Sequence, residues 1–256
     1  MSKLPRRLRH GEEATLVEHL GELRTRLIIS LVAVVAAFAV TYTFHGRLLE
    51  WLNRPLPADK RPPVTFGVLE PFTVSIMVSF YAAVLITLPI LFWQLWAFLA
   101  PAFEERHQRS MAVLVAFATV LAVGGVAFGY WLILPAAVHF LTNYDSSHFD
   151  ILVRARDYYS FTSFLLLGVA LAFEVPVFVL GLVRLRILSA ARLRATWRFG
   201  LFAMTALGVL LPGVDPVSTA LSVVTLILLY ALSIALAMFF EPRWRGTRAA
   251  EPAPDV

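Results

Sequence analysis

The chain lacks cysteine entirely and contains few charged residues. With no cysteine among its 256 residues, the protein can form neither a disulfide nor a thiolate metal site, which leaves its redox compartment undetermined. Only 15% of the residues are charged, whereas 59% are hydrophobic and the mean hydropathy is +0.75. This balance excludes a soluble globular domain and predicts an integral membrane protein.

Sequence motifs of enzymes are absent as well. The six histidines form no H-x-x-x-H pair, and neither a G-x-S-x-G nucleophile motif nor a G-x-x-x-x-G-K-[ST] phosphate loop occurs. We therefore expect a protein that is not an enzyme and that uses no metal ion or other cofactor. Asp215, within LPGVDPVS, is expected to form a turn or to cap the following helix rather than to act as a catalytic acid.

Six apolar stretches have the length and composition expected of membrane-spanning helices. About 20 helical residues cross a hydrocarbon core of ~30 Å. The turn signals Pro212-Gly213 and Asp215-Pro216 separate the fifth stretch, which is short, from the sixth. The expected fold is all-α, a single membrane domain over 1–256 with an amphipathic segment 1–26, a six-helix core 27–240 and a tail 241–256. The predicted spans are about Leu27–Phe44, Phe72–Leu99, Ser110–Leu134, Tyr158–Leu182, Trp197–Leu211 and Val217–Phe240.

The basic residues predict the orientation of these spans. With six spans both termini share one side, and most of the 22 lysine and arginine residues fall on that side. The positive-inside rule then places both termini in the cytoplasm, with the protein in the cytoplasmic membrane of a prokaryote. The net charge of +5 is explained by this topology and requires no nucleic-acid partner. The proline-rich segment 47–71 is expected to form a stiff cap on the other side.

One carboxylate interrupts the fourth span. Glu174 lies near the middle of the apolar run Leu165–Val183, and Pro176 follows two residues later. A charged side chain at that depth costs ~2.5 kcal/mol or more, so it typically marks a pathway or a pairing site. Proline removes a helical hydrogen bond, which predicts a bend beside the acid. The alternative is a neutral Glu174 that hydrogen-bonds a neighbouring helix for packing.

The segment LVEHLGELRTRLI precedes the first span. Its leucines at 16, 20, 23 and 27 lie on one helical face, which predicts an amphipathic helix at the membrane surface that continues into the first span. Glu22 and Arg26 are spaced for an i,i+4 ion pair. On physical grounds alone, an interfacial anchor with this local pair is the favoured interpretation.

Several short motifs in order carry a family resemblance. Any one of them is weak, but the ordered set resembles TatC, the receptor subunit of the twin-arginine protein translocase. The resemblance implies six helices curved around a concave face and recognition of the twin-arginine signal peptide of folded cargo. It also implies export driven by the protonmotive force with single-span partners of the TatA and TatB type. The motifs are HLGELRTRL, NRPL (Asn53–Leu56), LFWQLWAFLAPA (Leu91–Ala102), FGYWLILP (Phe128–Pro135), FEVPV (Phe173–Val177) and LLPGVDPVS (Leu210–Ser218).

The resemblance implies a binding site for two guanidinium groups built from two glutamates. The first maps onto Glu22. The family's second glutamate, in the first loop on the cytoplasmic side, falls on His107, while the acids present are Glu104 and Glu105. Glu104 lies one turn before His107 if that segment is helical, so Glu104 is the first choice, with Glu105 as its rival. Other residues that the resemblance assigns to signal-peptide binding are Arg24, Phe98 and Pro101.

Three polar residues within or near the spans are candidates for contacts with partner helices. By resemblance Glu174 lines the concave face, while Thr219 stands where relatives often have glutamine, and Asp215 lies at the turn before it. A second hypothesis is a secondary transporter that uses Glu174 as a proton or ion site, which would require two matching halves with broken helices. A third is a membrane scaffold without a transport role.

Overall fold

The computed structural model describes residues 16–99, 108–184, 187–211, 213 and 215–246. Within these ranges the fold is all-α, and the sole extended pairing is an isolated bridge between Val64 and Arg154. The all-α prediction is therefore confirmed. The helices are α1 (Leu16–Thr43), α2 (His45–Asn53), α3 (Glu70–Leu99), α4 (Gln108–Phe128), α5 (Leu134–Asn143), α6 (Ala155–Ala172), α7 (Val175–Arg184), α8 (Ala190–Ala195), α9 (Trp197–Leu210) and α10 (Pro216–Gly246).

The helices supply six apolar spans. Five stretches are long and apolar enough to cross a membrane, and α9 is a shorter apolar helix of 14 residues, about 21 Å long. Large apolar side chains such as Leu27, Leu31 and Val35 of α1 are exposed, as expected for a surface that faces lipid. Five long apolar stretches and the shorter α9 agree with the predicted six-span topology.

Contacts between helix ends define two ends of the bundle. At one end, which we call the open end, the start of α1 meets the end of α3 through His19 and Phe98. The end of α10 lies there too, because Glu241 accepts a hydrogen bond from the backbone N–H of Ala190 in α8 at 2.7 Å. The opposite end, which we call the capped end, is formed by residues 44–72, 144–157 and the turn before α10.

The capped end contains a helix where the sequence predicted a proline-rich loop. Helix α2 and a 3₁₀ turn, Ala58–Lys60, occupy much of segment 47–71. Leu52 and Leu56 are buried against the main core, because α2 packs its apolar face onto the spans. Prolines begin only at Pro55, so the preceding nine residues are free to be helical. The predicted cap is therefore partly helical.

The third span is longer than predicted. It continues through a π-helical turn, Gly129–Ile133, and into α5, ending at Asn143 rather than near Leu134. Pro135 follows directly after this π-helical turn, at the second residue of α5. Gly125 allows close packing, since a Cβ atom there would lie 2.9 Å from the Cα atom of Ala170 in α6.

The fourth span is broken where the acid and the proline predicted. Helix α6 ends at Ala172, a turn covers Phe173 and Glu174, and α7 begins at Val175 with Pro176 in its first turn. The backbone N–H of Glu174 donates to the carbonyl of Leu171 at 3.1 Å, a tighter turn than the α-helix has. The predicted bend is confirmed, and it places Glu174 at the hinge between two half-helices.

Candidate functional site

A carboxylate and a guanidinium are paired near the start of α1. Arg26 donates from Nε to Oε1 of Glu22 at 3.0 Å and from Nη2 to the same oxygen at 2.5 Å. The side chains of Arg26 and Glu22 are 23% and 29% exposed, so the pair is partly shielded from solvent. The i,i+4 pair expected from the sequence is therefore present, and Arg26 has a further contact that the sequence did not predict.

Arg26 also reaches across to α3. Its Nη1 donates to Oε1 of Gln94 at 3.3 Å, so one guanidinium joins Glu22 on its own helix to an amide on the neighbouring helix. Sequence reasoning missed Gln94, because a contact between residues 68 positions apart leaves no local signal. The result is a small cradle of two acceptor groups, Glu22 and Gln94, which we call the guanidinium cradle.

An aromatic stack lies beside the cradle. The rings of His19 and Phe98 are 4.4 Å apart between centroids and inclined by 20°. His19 precedes Glu22 by three residues, so both project from the same side of α1. The stack fixes the start of α1 against the last turn of α3. Phe98, a residue assigned by resemblance to signal-peptide binding, is thereby brought close to the helix turn that carries Glu22.

The end of α3 is held from its other side by α7. Trp96 is 2% exposed and its indole packs on Gly181, where a Cβ atom would come within 1.9 Å of the ring. Only glycine at 181 leaves room for this ring, because any larger residue would overlap it. Trp96 therefore fixes the helix turn that presents Gln94 and Phe98 to α1.

The remaining residues expected in the signal-peptide site divide into two groups. Arg24 is on α1 and exposed, on a different side of the helix from Arg26. The other four lie outside the described residues, so the identity of a second acidic position stays a prediction. These four are Pro101, Glu104, Glu105 and His107.

Glu174 does not lie on an open surface. Its side chain is 0% exposed, and neither carboxyl oxygen has a hydrogen-bond partner among the described residues. That Glu174 lines a concave face stays a prediction. Helices α3, α4 and α10 pack against α6 or α7 and enclose the hinge. An unpaired buried polar group costs about 1–3 kcal/mol, which makes this hinge a destabilised point of the bundle.

Asp215 and Thr219 are engaged within the chain. Asp215 is buried, and its Oδ1 accepts from the backbone N–H of Ser218 at 2.8 Å while Oδ2 accepts from the Ser218 hydroxyl. This arrangement is an N-cap of α10, as one of the two sequence interpretations predicted. Asp215 is only 2% exposed, and its contact with a partner helix stays a prediction. Thr219 is half-buried and donates to the carbonyl of Gly213 at 3.3 Å.

The described residues contain no group of three or more His, Asp or Glu side chains that could hold a metal ion. The polar groups that converge at the open end instead form an acceptor pair for a planar cation. The fold defines a polytopic helical membrane protein, and the cradle lies at one end of its bundle.

Comparisons with known proteins identify the family. The model of the family described as Sec-independent protein translocase protein (TatC) matches residues 18–225. The chain is 30% identical to TatC of Helicobacter pylori strain J99 over 88% of this chain and 89% of that one. It is 32% identical to TatC of Deinococcus radiodurans over 89% and 87%, respectively. The chain belongs to the TatC family.

A solved structure supports the same assignment. The crystal structure of the twin-arginine translocase receptor TatC in DDM superimposes with a TM-score of 0.77 at 26% identity, covering 86% of this chain and 99% of that chain. The protein is therefore a component of Sec-independent protein translocation, a multi-pass membrane protein of a non-enzymatic family.

Proposed function

We propose that this protein is the signal-peptide receptor and core subunit of a twin-arginine translocase. The observation that carries the proposal is the cradle itself, in which Glu22 already accepts two hydrogen bonds from a guanidinium beside Phe98. A carboxylate binds a guanidinium in a planar, charge-assisted geometry, each bond contributing ~1.5–3 kcal/mol when partly desolvated. Lysine cannot reproduce this geometry, so the site favours an arginine pair.

The orientation and partners follow from the same proposal. The basic residues favour the open end, where Arg192, Arg194 and Arg198 are exposed, as the cytoplasmic side, with both termini there. A signal peptide would meet the cradle from the cytoplasm, and its apolar part would lie along the lipid-facing helices. Single-span subunits of the TatA and TatB type and the protonmotive force would then complete transport. A second acidic position at Glu104 or Glu105 would bind the second arginine.

Site-specific photocrosslinking tests this proposal. A photoreactive residue at 98 should crosslink a peptide with an arginine pair and an apolar segment, while one at the exposed capped-end position 72 should not. Glu22→Gln should reduce the crosslink to the arginine peptide and leave the weaker crosslink to a lysine-pair peptide unchanged. Equal yields for both peptides in the unaltered chain would contradict the proposal. Photoreactive residues at 104, 105 and 107 would identify the second position.

A further inference from the structure

The guanidinium cradle is occupied by a side chain of the protein itself. Arg26 donates two hydrogen bonds to Oε1 of Glu22 and a third to Oε1 of Gln94. The other oxygen of Glu22, Oε2, accepts no hydrogen bond from the described residues. An incoming arginine can therefore bind Oε2 alone, but it can form the planar pair that uses both carboxylate oxygens only if Arg26 releases Oε1.

From this geometry we infer that Gln94 is a guanidinium-binding residue and that Arg26 is an internal occupant which an arginine of the ligand displaces. The inference rests on the proposed function of Glu22 and extends it to a residue on α3. The amide oxygen of Gln94 accepts a guanidinium N–H without adding a second negative charge. Together with Glu22 it therefore favours a planar, forked donor, whose N–H groups are spread over three nitrogens, over an ammonium group, whose three N–H groups radiate from one nitrogen.

The neighbouring contacts make the exchange geometrically possible. Gln94 is half-buried on the turn of α3 that Trp96 fixes against Gly181, so the backbone that carries its amide does not depend on Arg26. The His19–Phe98 stack holds α1 beside α3 without any contribution from Arg26. Arg26 can consequently turn away without separating the two helix turns that carry Glu22 and Gln94.

Internal competition has a specific signature in binding measurements. Arg26→Gln should raise the affinity for a fluorescein-labelled arginine-pair peptide by about two- to fivefold, the range expected for losing a partly exposed ion pair. The affinity for the lysine-pair peptide should change less. Arg198→Gln removes the same charge from the open end without touching the cradle. This control should leave the ratio of the two affinities unchanged.

The role of Gln94 should appear only when its internal occupant is absent. In the unaltered chain Gln94→Leu removes one acceptor from the internal Arg26 and one from the arginine of the ligand. Because the two losses nearly cancel, the affinity for the arginine-pair peptide should change little. In the Arg26→Gln background the same change should lower the affinity for the arginine-pair peptide about threefold, because only the ligand then uses Gln94. The measurement is fluorescence anisotropy with the full-length protein in nanodiscs, after size-exclusion chromatography has shown each variant to be folded.

The outcomes separate this inference from the proposed function. If Glu22→Gln abolishes the preference for arginine but Arg26→Gln lowers the affinity, Arg26 only positions Glu22 and the inference is wrong. Equal effects of Gln94→Leu in both backgrounds would also overturn it. If Glu22→Gln leaves the preference for arginine intact, the proposed function itself fails.

Discussion

The two ends of the bundle are built differently. At the capped end, buried polar groups are hydrogen-bonded across long sequence separations. Tyr130 donates to the carbonyl of Trp51 at 2.8 Å, Tyr158 donates to the carbonyl of Leu52, and Tyr159 donates to Oδ1 of Asn53 at 2.8 Å. At the open end, the polar and aromatic contacts between α1 and α3 include one aromatic stack and one partly exposed guanidinium. Buried hydrogen bonds between distant residues therefore stabilise the capped end, whereas the proposed recognition site lies at the open end.

Glu70 is the centre of the capped end. It is 6% exposed and accepts hydrogen bonds from Arg154 Nε and from the backbone N–H groups of Phe66 and Arg156, each at 3.1 Å. These bonds hold the α2–α3 connection against the start of α6. The hydrogen bond to Glu70 also raises the pKa of Arg154 above its ordinary value.

Removing this centre is expected to have the largest effect on stability. Glu70→Ala leaves Arg154 and two backbone N–H groups without their acceptor, so Tm in detergent should fall by several degrees. Glu50→Ala, which removes an exposed carboxylate from α2 at the same end, is the matched control. A Tm for Glu70→Ala equal to that of the control would show that the two ends do not differ as described.

The cap of α10 should matter less. Asp215→Ala removes the acceptor for the Ser218 backbone and hydroxyl groups and should lower the free energy of unfolding by about 1 kcal/mol, measured by denaturant titration. Asp215→Asn should retain most of the stability, because asparagine caps helices nearly as well. If alanine and asparagine destabilise equally, Asp215 has a role other than capping, and partner contact would return as an explanation.

A single hydroxyl group at the capped end gives an effect of similar size to that of the α10 cap. Tyr130→Phe keeps the ring stacked on Trp51, 3.8 Å away between centroids, but loses the hydrogen bond to the Trp51 carbonyl. The expected loss is about 0.5–1.5 kcal/mol in the free energy of unfolding. Tyr144→Phe, at a residue that is 66% exposed, should change nothing measurable. A larger loss of unfolding free energy for Tyr144→Phe than for Tyr130→Phe would contradict the hydrogen bond assigned to Tyr130.

The smallest effect on stability is expected at the open end. Glu22→Gln breaks a partly exposed ion pair and should cost at most about 1 kcal/mol of unfolding free energy. A loss as large as that of Glu70→Ala would mean that the cradle is part of the structural core. The same substitution should nevertheless have the largest effect on ligand preference. Substitutions at the capped end should lower stability and leave ligand preference unchanged.

The sequence predicted features that depend on local chemistry. The apolar runs predict the spans because hydrocarbon requires them. Pro176 beside Glu174 predicts the hinge, and the i,i+4 spacing predicts the Glu22–Arg26 pair. Helix α2 was not predicted, because the prolines that follow it dominate the composition of segment 47–71.

Features that depend on distant residues could not be predicted. The Glu70–Arg154 pair joins residues 84 positions apart, and the Arg26–Gln94 contact joins residues 68 positions apart. The sequence around each of these four residues resembles that around an ordinary polar residue at a protein surface. The burial of Glu174 could not be predicted either, because it results from the packing of whole helices around the hinge and not from the residues beside it in the sequence.

The central claim is that Glu22 distinguishes guanidinium from ammonium groups at the open end. The most direct measurement is the ratio of the affinities of arginine-pair and lysine-pair signal peptides for the full-length protein, with and without Glu22→Gln. We expect a ratio well above one for the unaltered chain that falls towards one in the variant, while Tm changes little. A ratio that is the same in both proteins would contradict it.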